Sequence, residues 1–271
     1  MPNASVLPRF GTRSTPADFF RGLALPFQAI GLVIRSRRLL LLSAAASVVT
    51  FVALGALVAV LGLYTDDLVR RFVVEPSSWY GQIGFAVLVA LSFLLLLVVG
   101  ANTVPLILLA PLQDPISEAT EAECGEFPPA PFRLSALIRG TAVSLSHTLA
   151  RVGILLGGHA LLFLLSFLPG IGAVLWTVLA ALWTMAWLAA EYLDAPMARH
   201  LYRFHEVRHV VIARLWLCMG FGAAVYVLLW LPVLNLFFIP LAVVAGTLLF
   251  RGLRASGSLP PPGSSRKAVE T

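Results

Sequence analysis

Charged residues are scarce in this chain: Asp, Glu, Lys and Arg make up 12% of it, whereas they form roughly a quarter of a soluble globular domain. Four stretches contain none of them: Leu39–Thr65, Pro76–Gln113, Val152–Ala190 and Leu215–Phe250. A helix of roughly 20 apolar residues crosses the ~30 Å hydrocarbon core of a bilayer. With a mean hydropathy of +0.91, the sequence therefore predicts a polytopic integral membrane protein.

Several signatures of catalysis and of secretion are also missing. Two cysteines, Cys124 and Cys218, do not make a disulfide framework. The chain has no glycine-rich phosphate loop and no nucleophile beside a base, so we expect no enzyme and no cofactor. It also lacks the pattern of a cleavable signal peptide, and its first apolar run is expected to remain as a span.

His200, His205 and His209 lie among arginines, and the last two are four residues apart and could share one helical face as metal ligands. A further ligand at useful spacing is lacking. We therefore expect no metal site and predict that these histidines belong to a juxtamembrane helix that meets anionic headgroups.

The apolar runs predict an all-α fold of two long transmembrane helices and two helical hairpins. The predicted spans are residues 40–63, 84–109, 152–168, 172–190, 215–230 and 233–250. The hairpins turn at Pro169, Gly170 and Gly172 and at Pro232 and Asn235, and neither turn carries a charge. The turns are tight extracytoplasmic connections, or the hairpins are re-entrant with tips buried in protein. The sequence leaves both readings open.

Basic residues are distributed by side of the membrane. With these spans, 17 of the 19 Lys and Arg residues fall on one side, and only Arg70 and Arg71 fall on the other. The positive-inside rule then places both termini in the cytoplasm of a plasma (inner) membrane protein. The net charge of +6 thus reflects topology, and we expect no nucleic-acid partner.

Amphipathic helices are predicted beside the spans. Thr15–Asp18 begins one helix, in which Phe20, Leu23, Phe27, Ile30 and Ile34 share an apolar stripe expected to lie in the interface. Asp114 and Pro115 begin an acidic helix that Gly125 ends, and a third helix follows Pro131. We read residues 1–14 and the Pro/Gly/Ser-rich residues 253–271 as disordered tails of a single membrane domain, 15–252.

Five short segments in order resemble the etoposide-induced membrane protein family, which includes the CysZ-type sulfate permeases. These segments are Phe19–Gly22 continuing to Arg38, Ala110–Glu118, Glu191–Arg199 with Phe204–Arg208, Gly220–Gly222 with Leu231–Asn235, and Pro240–Thr247. The likeness covers residues 17–252.

The resemblance implies uptake of sulfate, or of a similar small anion, into the cell. It implies an anion site at a Gly-Leu-Asn motif in the first helix and at an arginine pair before the first long helix. Gly22 and Leu23 match the motif, although Ala24 replaces its asparagine, and Arg37 and Arg38 match the pair. Guanidinium groups suit oxyanions because they offer paired donors. Two arginines at this place are also what the positive-inside rule alone predicts.

Two classes of function stay open: a small-anion permease, and a non-transporting membrane scaffold or envelope-assembly protein of the same family. Asn102, inside the second long run, either lines a pathway or bonds to a neighbouring helix. The turn residues Pro169, Gly170, Gly172, Pro232 and Asn235 are further pathway candidates. Besides lipid and an anion, another copy of the chain is a candidate partner, because tips that stop inside the bilayer need cover.

Overall fold

The computed structural model describes residues 7–8, 10–11, 14–125, 153–229 and 232–259, with side chains except at 102, 105–107, 110–111 and 232–237. Secondary structure in these ranges is helical, without a strand, and this confirms the predicted all-α class. The helices are α1 (Ala17–Arg35), α2 (Arg37–Phe72), α3 (Trp79–Glu123), α4 (Gly153–Phe167, ending in a 3₁₀ turn at Leu164–Phe167), α5 (Gly172–Arg199), α6 (Phe204–Ala213), α7 (Leu215–Leu229) and α8 (Pro232–Ala255). The helix predicted after Pro131 lies outside the described residues.

Helix α1 begins where the sequence predicts. The Asp18 carboxylate accepts hydrogen bonds from the Thr15 backbone N–H (2.9 Å) and hydroxyl (3.1 Å), and so satisfies a donor at the start of the helix. The Asp18 carboxylate also forms an ion pair with Arg21 at 2.7 Å. This pair offsets part of the cost of burying the carboxylate.

Both faces of α1 are apolar, but only one is covered. Leu25, Ala29 and Leu32 are buried in the bundle, whereas Phe20 (70% exposed) and Ile34 (68%) point outward. The stripe predicted for the interface is therefore the outward stripe. The sequence assigned no crossing to this segment, but α1 is itself long and apolar enough to be a span.

Helices α2 and α3 are longer than a bilayer requires. Their 36 and 45 residues correspond to about 54 and 68 Å at 1.5 Å per residue. Residues 46–110 form one compact unit, in which Gly100 on α3 admits the side chain of Leu57 on α2. Arg70 closes the far end of this unit, pairing with Asp66 at 2.7 Å and with Glu75, and lying 5.3 Å from the Phe85 ring centre.

The acidic helix predicted to begin at Asp114 is not separate. Helix α3 continues through Asp114 and Pro115 and ends at Glu123, so the prediction of a new start was wrong. The physical reason is that side-chain hydrogen bonds of Ser117 with Thr247 of α8 and with Arg199 of α5 hold the last turns of α3, and these contacts outweigh a local start signal. The predicted stop is confirmed, since Gly125 adopts φ +88°.

Residues 1–45 and 111–271 form the second compact unit, which is a bundle around α7 and α8. Helix α1 packs on α7 and α8, and α5 packs on α7, α8 and α6. Its core contains Phe221, Leu217, Phe250, Leu249 and Leu193, all fully buried. Helix α8 is enclosed by protein, because 83% of its Phe238–Ala255 segment is buried.

Glycines set how closely these helices approach. A Cβ at Gly22 would collide with the Leu217 backbone carbonyl, and one at Gly220 would collide with that of Phe19, so α1 and α7 touch backbone to backbone. Gly222 admits the Met185 carbonyl from α5 in the same way, and α7 is thereby held between α1 and α5. Small residues serve this purpose commonly in membrane bundles.

Five described helices are long and apolar enough to cross a membrane, or six if α6 and α7 are one broken span: α1, α2, the first part of α3 (Trp79–Ala101), α5 and the last part of α8. Helix α7, with 15 residues, is about 22 Å long, which is short of the ~30 Å core. It also meets α6 at 103°. The depth of the hairpins stays a prediction.

Candidate functional site

The two halves of the anion site that the sequence suggests lie in different surroundings. Gly22 is buried against α7, while Arg37 and Arg38 are exposed at the start of α2. Gly22 and Arg35 are 13 residues apart in α1, which is about 20 Å along the helix. The two halves therefore differ in burial, and their joint role in one anion site stays a prediction.

The turn residues belong to other elements than the arginine pair. Pro169 and Gly170, which has φ +81°, are exposed between α4 and α5, and Gly172 is buried beside the Leu165 carbonyl. Asn102 lies within α3, and Pro232 and Asn235 lie at the start of α8. The side chains of these last three are outside the described part of the chain.

Instead, the fold brings together a group of polar side chains from three helices of the second unit. We call this group the polar cluster; its members are Ser117, Glu121, Arg199, His200 and Thr247. Ser117 and Glu121 are four residues apart and share a face of α3. Arg199 and His200 lie at the end of α5, and Thr247 lies in α8.

Hydrogen bonds connect the three helices through the cluster. The Arg199 Nη2 donates to the Ser117 hydroxyl at 2.5 Å, and the Ser117 and Thr247 hydroxyls are 2.8 Å apart. Thr247 in turn donates to the Val243 carbonyl at 2.9 Å. The two hydroxyl residues are fully buried, so this chain of hydrogen bonds fixes the position of the Arg199 guanidinium.

The charges of the cluster are not fully compensated by hydrogen bonds. Glu121 Oε1 lies 3.8 Å from Arg199 Nη2, and Glu121 Oε2 lies 3.5 Å from His200 Nε2. Both distances are longer than a hydrogen bond. In the described part of the protein, Arg199 Nε and Nη1 are buried without a hydrogen-bond partner. A guanidinium with unused donors is able to bind an oxyanion through paired hydrogen bonds.

The surroundings add positive charge and hold His200 in place. The Arg254 guanidinium is 3.2 Å from His200 Nδ1, and the His200 ring stacks on Phe250 at 5.0 Å. The chain turns after α5 at Leu201, an exposed residue with φ +66°. In this turn the Tyr202 backbone N–H donates a hydrogen bond to the Met197 carbonyl. Burial raises the pKa of Tyr202, opposed by Arg254, so the phenol keeps its proton.

Ser36 places the exposed arginine pair at the same end of the unit as the cluster. Its hydroxyl donates to Glu123 at 2.5 Å and accepts from the Leu39 N–H at 3.3 Å, which caps α2. Arg37 and Arg38 therefore follow directly after a residue that contacts the end of α3. The residue contacted, Glu123, is two positions from Glu121 of the polar cluster.

The family model for sulfate transporter CysZ/etoposide-induced protein 2.4 matches residues 25–240. The chain belongs to this family. Sulfate transporter CysZ of Pseudomonas syringae pv. tomato is 33% identical over 180 residues, which are 65% of this chain and 68% of that protein. The Pseudomonas paraeruginosa protein of the same name is 29% identical over 181 residues, 64% of this chain and 71% of the relative. That of Vibrio cholerae is 34% identical over 89 residues, 33% and 36% of the two chains.

The segments that carry the CysZ resemblance meet in space. Ala110–Glu118 supplies Ser117, Glu191–Arg199 supplies Arg199, and Pro240–Thr247 supplies Thr247, and these three side chains form the hydrogen-bonded chain. Gly220 and Gly222, from another such segment, make the close helix contacts. The sequence analysis missed the cluster; the available signal was a polar residue in the last two positions of each of these motifs.

Proposed function

We propose that this CysZ-family protein is a permease for sulfate or a similar small oxyanion in the inner membrane, with both termini in the cytoplasm. The observation that carries the proposal is the Arg199 guanidinium, whose Nε and Nη1 are buried without hydrogen-bond partners among the described residues. Burying guanidinium donors without hydrogen-bond partners costs stability, so their presence supports a binding role for this side chain.

The cluster suits transient binding of an anion. Ser117 and Thr247 hold the guanidinium from one side, while Glu121 provides a competing negative charge within 4 Å. An arriving dianion offers Arg199 better hydrogen bonds than Glu121 does, and Glu121 limits how tightly the anion is held. Conduction requires this balance, because a site that binds too tightly does not release.

Arg37 and Arg38 support the same function at the surface. They are exposed at the N-terminus of α2, where the helix dipole also favours anions. We assign them the attraction of anions from the aqueous phase towards the polar cluster, an effect that salt weakens.

Uptake of radiolabelled sulfate into proteoliposomes tests the proposal. The purified protein is expected to accumulate sulfate above empty liposomes. Arg199→Gln removes a charge-assisted hydrogen bond worth about 1.5–3 kcal/mol, so the apparent affinity for sulfate should fall by roughly ten- to a hundredfold. Arg37→Ala with Arg38→Ala should slow uptake mainly at low salt.

The matched control is Arg35→Ala, which removes an exposed arginine two residues before the pair and is expected to transport normally. Each variant is compared for helix content and elution as a single species. Absence of uptake by the unmodified protein would overturn the permease assignment and favour the membrane-scaffold alternative. Normal uptake by Arg199→Gln would be consistent with a permease but would show that the polar cluster is not its anion site.

A further inference from the structure

A groove opens on the second unit where α4, α5 and α6 meet. Its volume is about 480 Å³, within the range of small-molecule sites. Ile154, Trp183, Trp187 and Val211 form an apolar floor, and the edge carries His205, Arg208 and His209 from α6. The groove is distinct from the polar cluster, because it shares no residue with it.

The aromatic floor is fixed in place. Trp183 packs over Gly158 of α4 and donates from Nε1 to the Leu155 carbonyl at 3.4 Å, while Trp187 contacts the Phe204 ring at 5.9 Å. A hydrogen bond of 3.1 Å between His159 and Thr184 also joins α4 to α5 beside the groove. The apolar surface is therefore preformed.

The edge of the groove follows from the sequence of α6. Val207, Val210 and Val211 are buried, so His205, Arg208 and His209 lie on the exposed side of the same helix. The Glu206 carboxylate accepts from the Arg203 backbone N–H at 2.8 Å and begins the helix. In the described ranges, Arg208 has no carboxylate within ion-pair distance, and its charge is available to a ligand.

The orientation of α6 indicates where the groove lies. Helix α6 turns by 103° into α7, and at the bend Leu215 (46%) and Trp216 (47%) are exposed. A helix with exposed basic residues that runs across the direction of an apolar helix, and is followed by an exposed tryptophan at the bend, is typical of the membrane–water interface.

We propose that this groove binds an anionic phospholipid, with the acyl chain on Trp183, Trp187 and Ile154 and the phosphodiester at Arg208 and His209. The complementarity is twofold: the floor is apolar where an acyl chain would lie, and the edge is cationic where a phosphate would lie. Basic pockets between membrane helices bind acidic lipid headgroups by the same combination.

The proposal is tested by titrating dioleoylphosphatidylglycerol into delipidated protein in a nonionic detergent and measuring bound lipid by native mass spectrometry. Dioleoylphosphatidylcholine and glycerol phosphate are the parallel ligands. Phosphatidylglycerol should bind more tightly than the other two. Arg208→Gln should weaken it about fivefold, since one basic residue near a membrane surface contributes that factor.

Two further variants separate the groove from general effects. Ala186→Phe fills the floor without changing a charge and should also weaken phosphatidylglycerol binding, whereas Arg71→Gln removes an exposed arginine from the other unit and should not. Equal affinity for phosphatidylcholine, tight binding of glycerol phosphate, or unchanged binding in both Arg208→Gln and Ala186→Phe would each overturn the proposal. Sulfate uptake is not part of the readout, so these results do not depend on the permease assignment.

Discussion

Glu121 and Arg199 are close enough to attract each other and too far apart to hydrogen-bond. Their nearest atoms are 3.8 Å apart, and the Glu121 side chain is 8% exposed. The Arg199 side chain is 27% exposed, so solvent weakens the attraction, while desolvation of the buried Glu121 carboxylate opposes it, and the pair contributes little net stability. We therefore read the pair as a functional arrangement.

Glu121→Gln removes the negative charge that competes with an anion for Arg199. If the polar cluster is the binding site, the KM for sulfate should fall about tenfold, the effect of roughly 1.4 kcal/mol. The measurement is the concentration dependence of sulfate uptake. Asp67→Asn, which neutralises an exposed carboxylate in the other unit, is the control and should leave KM unchanged. A higher KM in Glu121→Gln would show that the carboxylate supports binding instead.

Gly22 is the site residue whose structural role is clearest, since α7 backbone lies where its Cβ would be. Gly22→Ala should lower the free energy of unfolding by about 1–3 kcal/mol through overpacking. Gly31→Ala, in the same helix with open space around it, should be neutral or stabilising by up to about 1 kcal/mol.

The melting temperatures of both variants are measured by thermal unfolding in detergent. Unfolding is detected by the reaction of a thiol-specific dye with Cys124 and Cys218, which are buried in the folded protein. Equal melting temperatures for Gly22→Ala and Gly31→Ala would contradict the close contact between α1 and α7. A normal melting temperature with lost sulfate uptake would instead support a direct role of Gly22 in transport.

At the level of elements, the break between α6 and α7 is held by one buried arginine. Arg214 Nη2 donates to the Gly11 carbonyl at 2.5 Å and contacts the Ser258 hydroxyl. Phe10 and Pro8 lie against Gly252 at the same place. Arg214 thus joins the bend to described residues near both ends of the chain.

Arg214→Gln should release these segments, because the shorter amide cannot replace a guanidinium that reaches two acceptors. Hydrogen exchange measured by mass spectrometry should become faster in residues 7–11 and 256–259, with little change in α7. Arg208→Gln, which removes an exposed guanidinium from α6, is the matched control. Unchanged exchange in both segments would mean that Arg214 does not hold them.

The helix boundaries show which elements the sequence could predict. The start of α1 at Thr15–Asp18 follows from local hydrogen bonding, and the stop of α3 before Gly125 follows from backbone conformation. The structure has both boundaries. The start at Asp114 was wrong because proline and aspartate favour a helix start only when nothing else supports the preceding turn. In α3 the helix passes through both residues.

On the scale of the whole molecule, the distribution of arginines predicts topology. Ser77, in the connection between α2 and α3, is exposed, as is Gly257 after α8. The two positions should lie on opposite sides of the membrane. Because both native cysteines are buried, they need not be removed before a labelling experiment.

Ser77→Cys should react with a membrane-impermeant maleimide in intact spheroplasts, whereas Gly257→Cys should react only after permeabilisation. The physical reason is the cytoplasmic retention of loops rich in arginine. Each variant serves as the control for the other. Labelling of both in intact spheroplasts, or of Gly257→Cys alone, would contradict the predicted orientation.

The sequence by itself determined that the protein is helical, lies in a membrane and belongs to the CysZ family. These properties are local: each crossing must satisfy its own backbone hydrogen bonds and match the apolar core, so apolar runs and flanking charges report them directly. Only the tertiary structure decided that Ser117, Arg199 and Thr247 meet, and that Gly22 lies against the backbone of α7. Such contacts depend on how closely helices that are distant in sequence pack together. Glycine contacts across the bundle determine that distance, and no local sequence pattern reveals it.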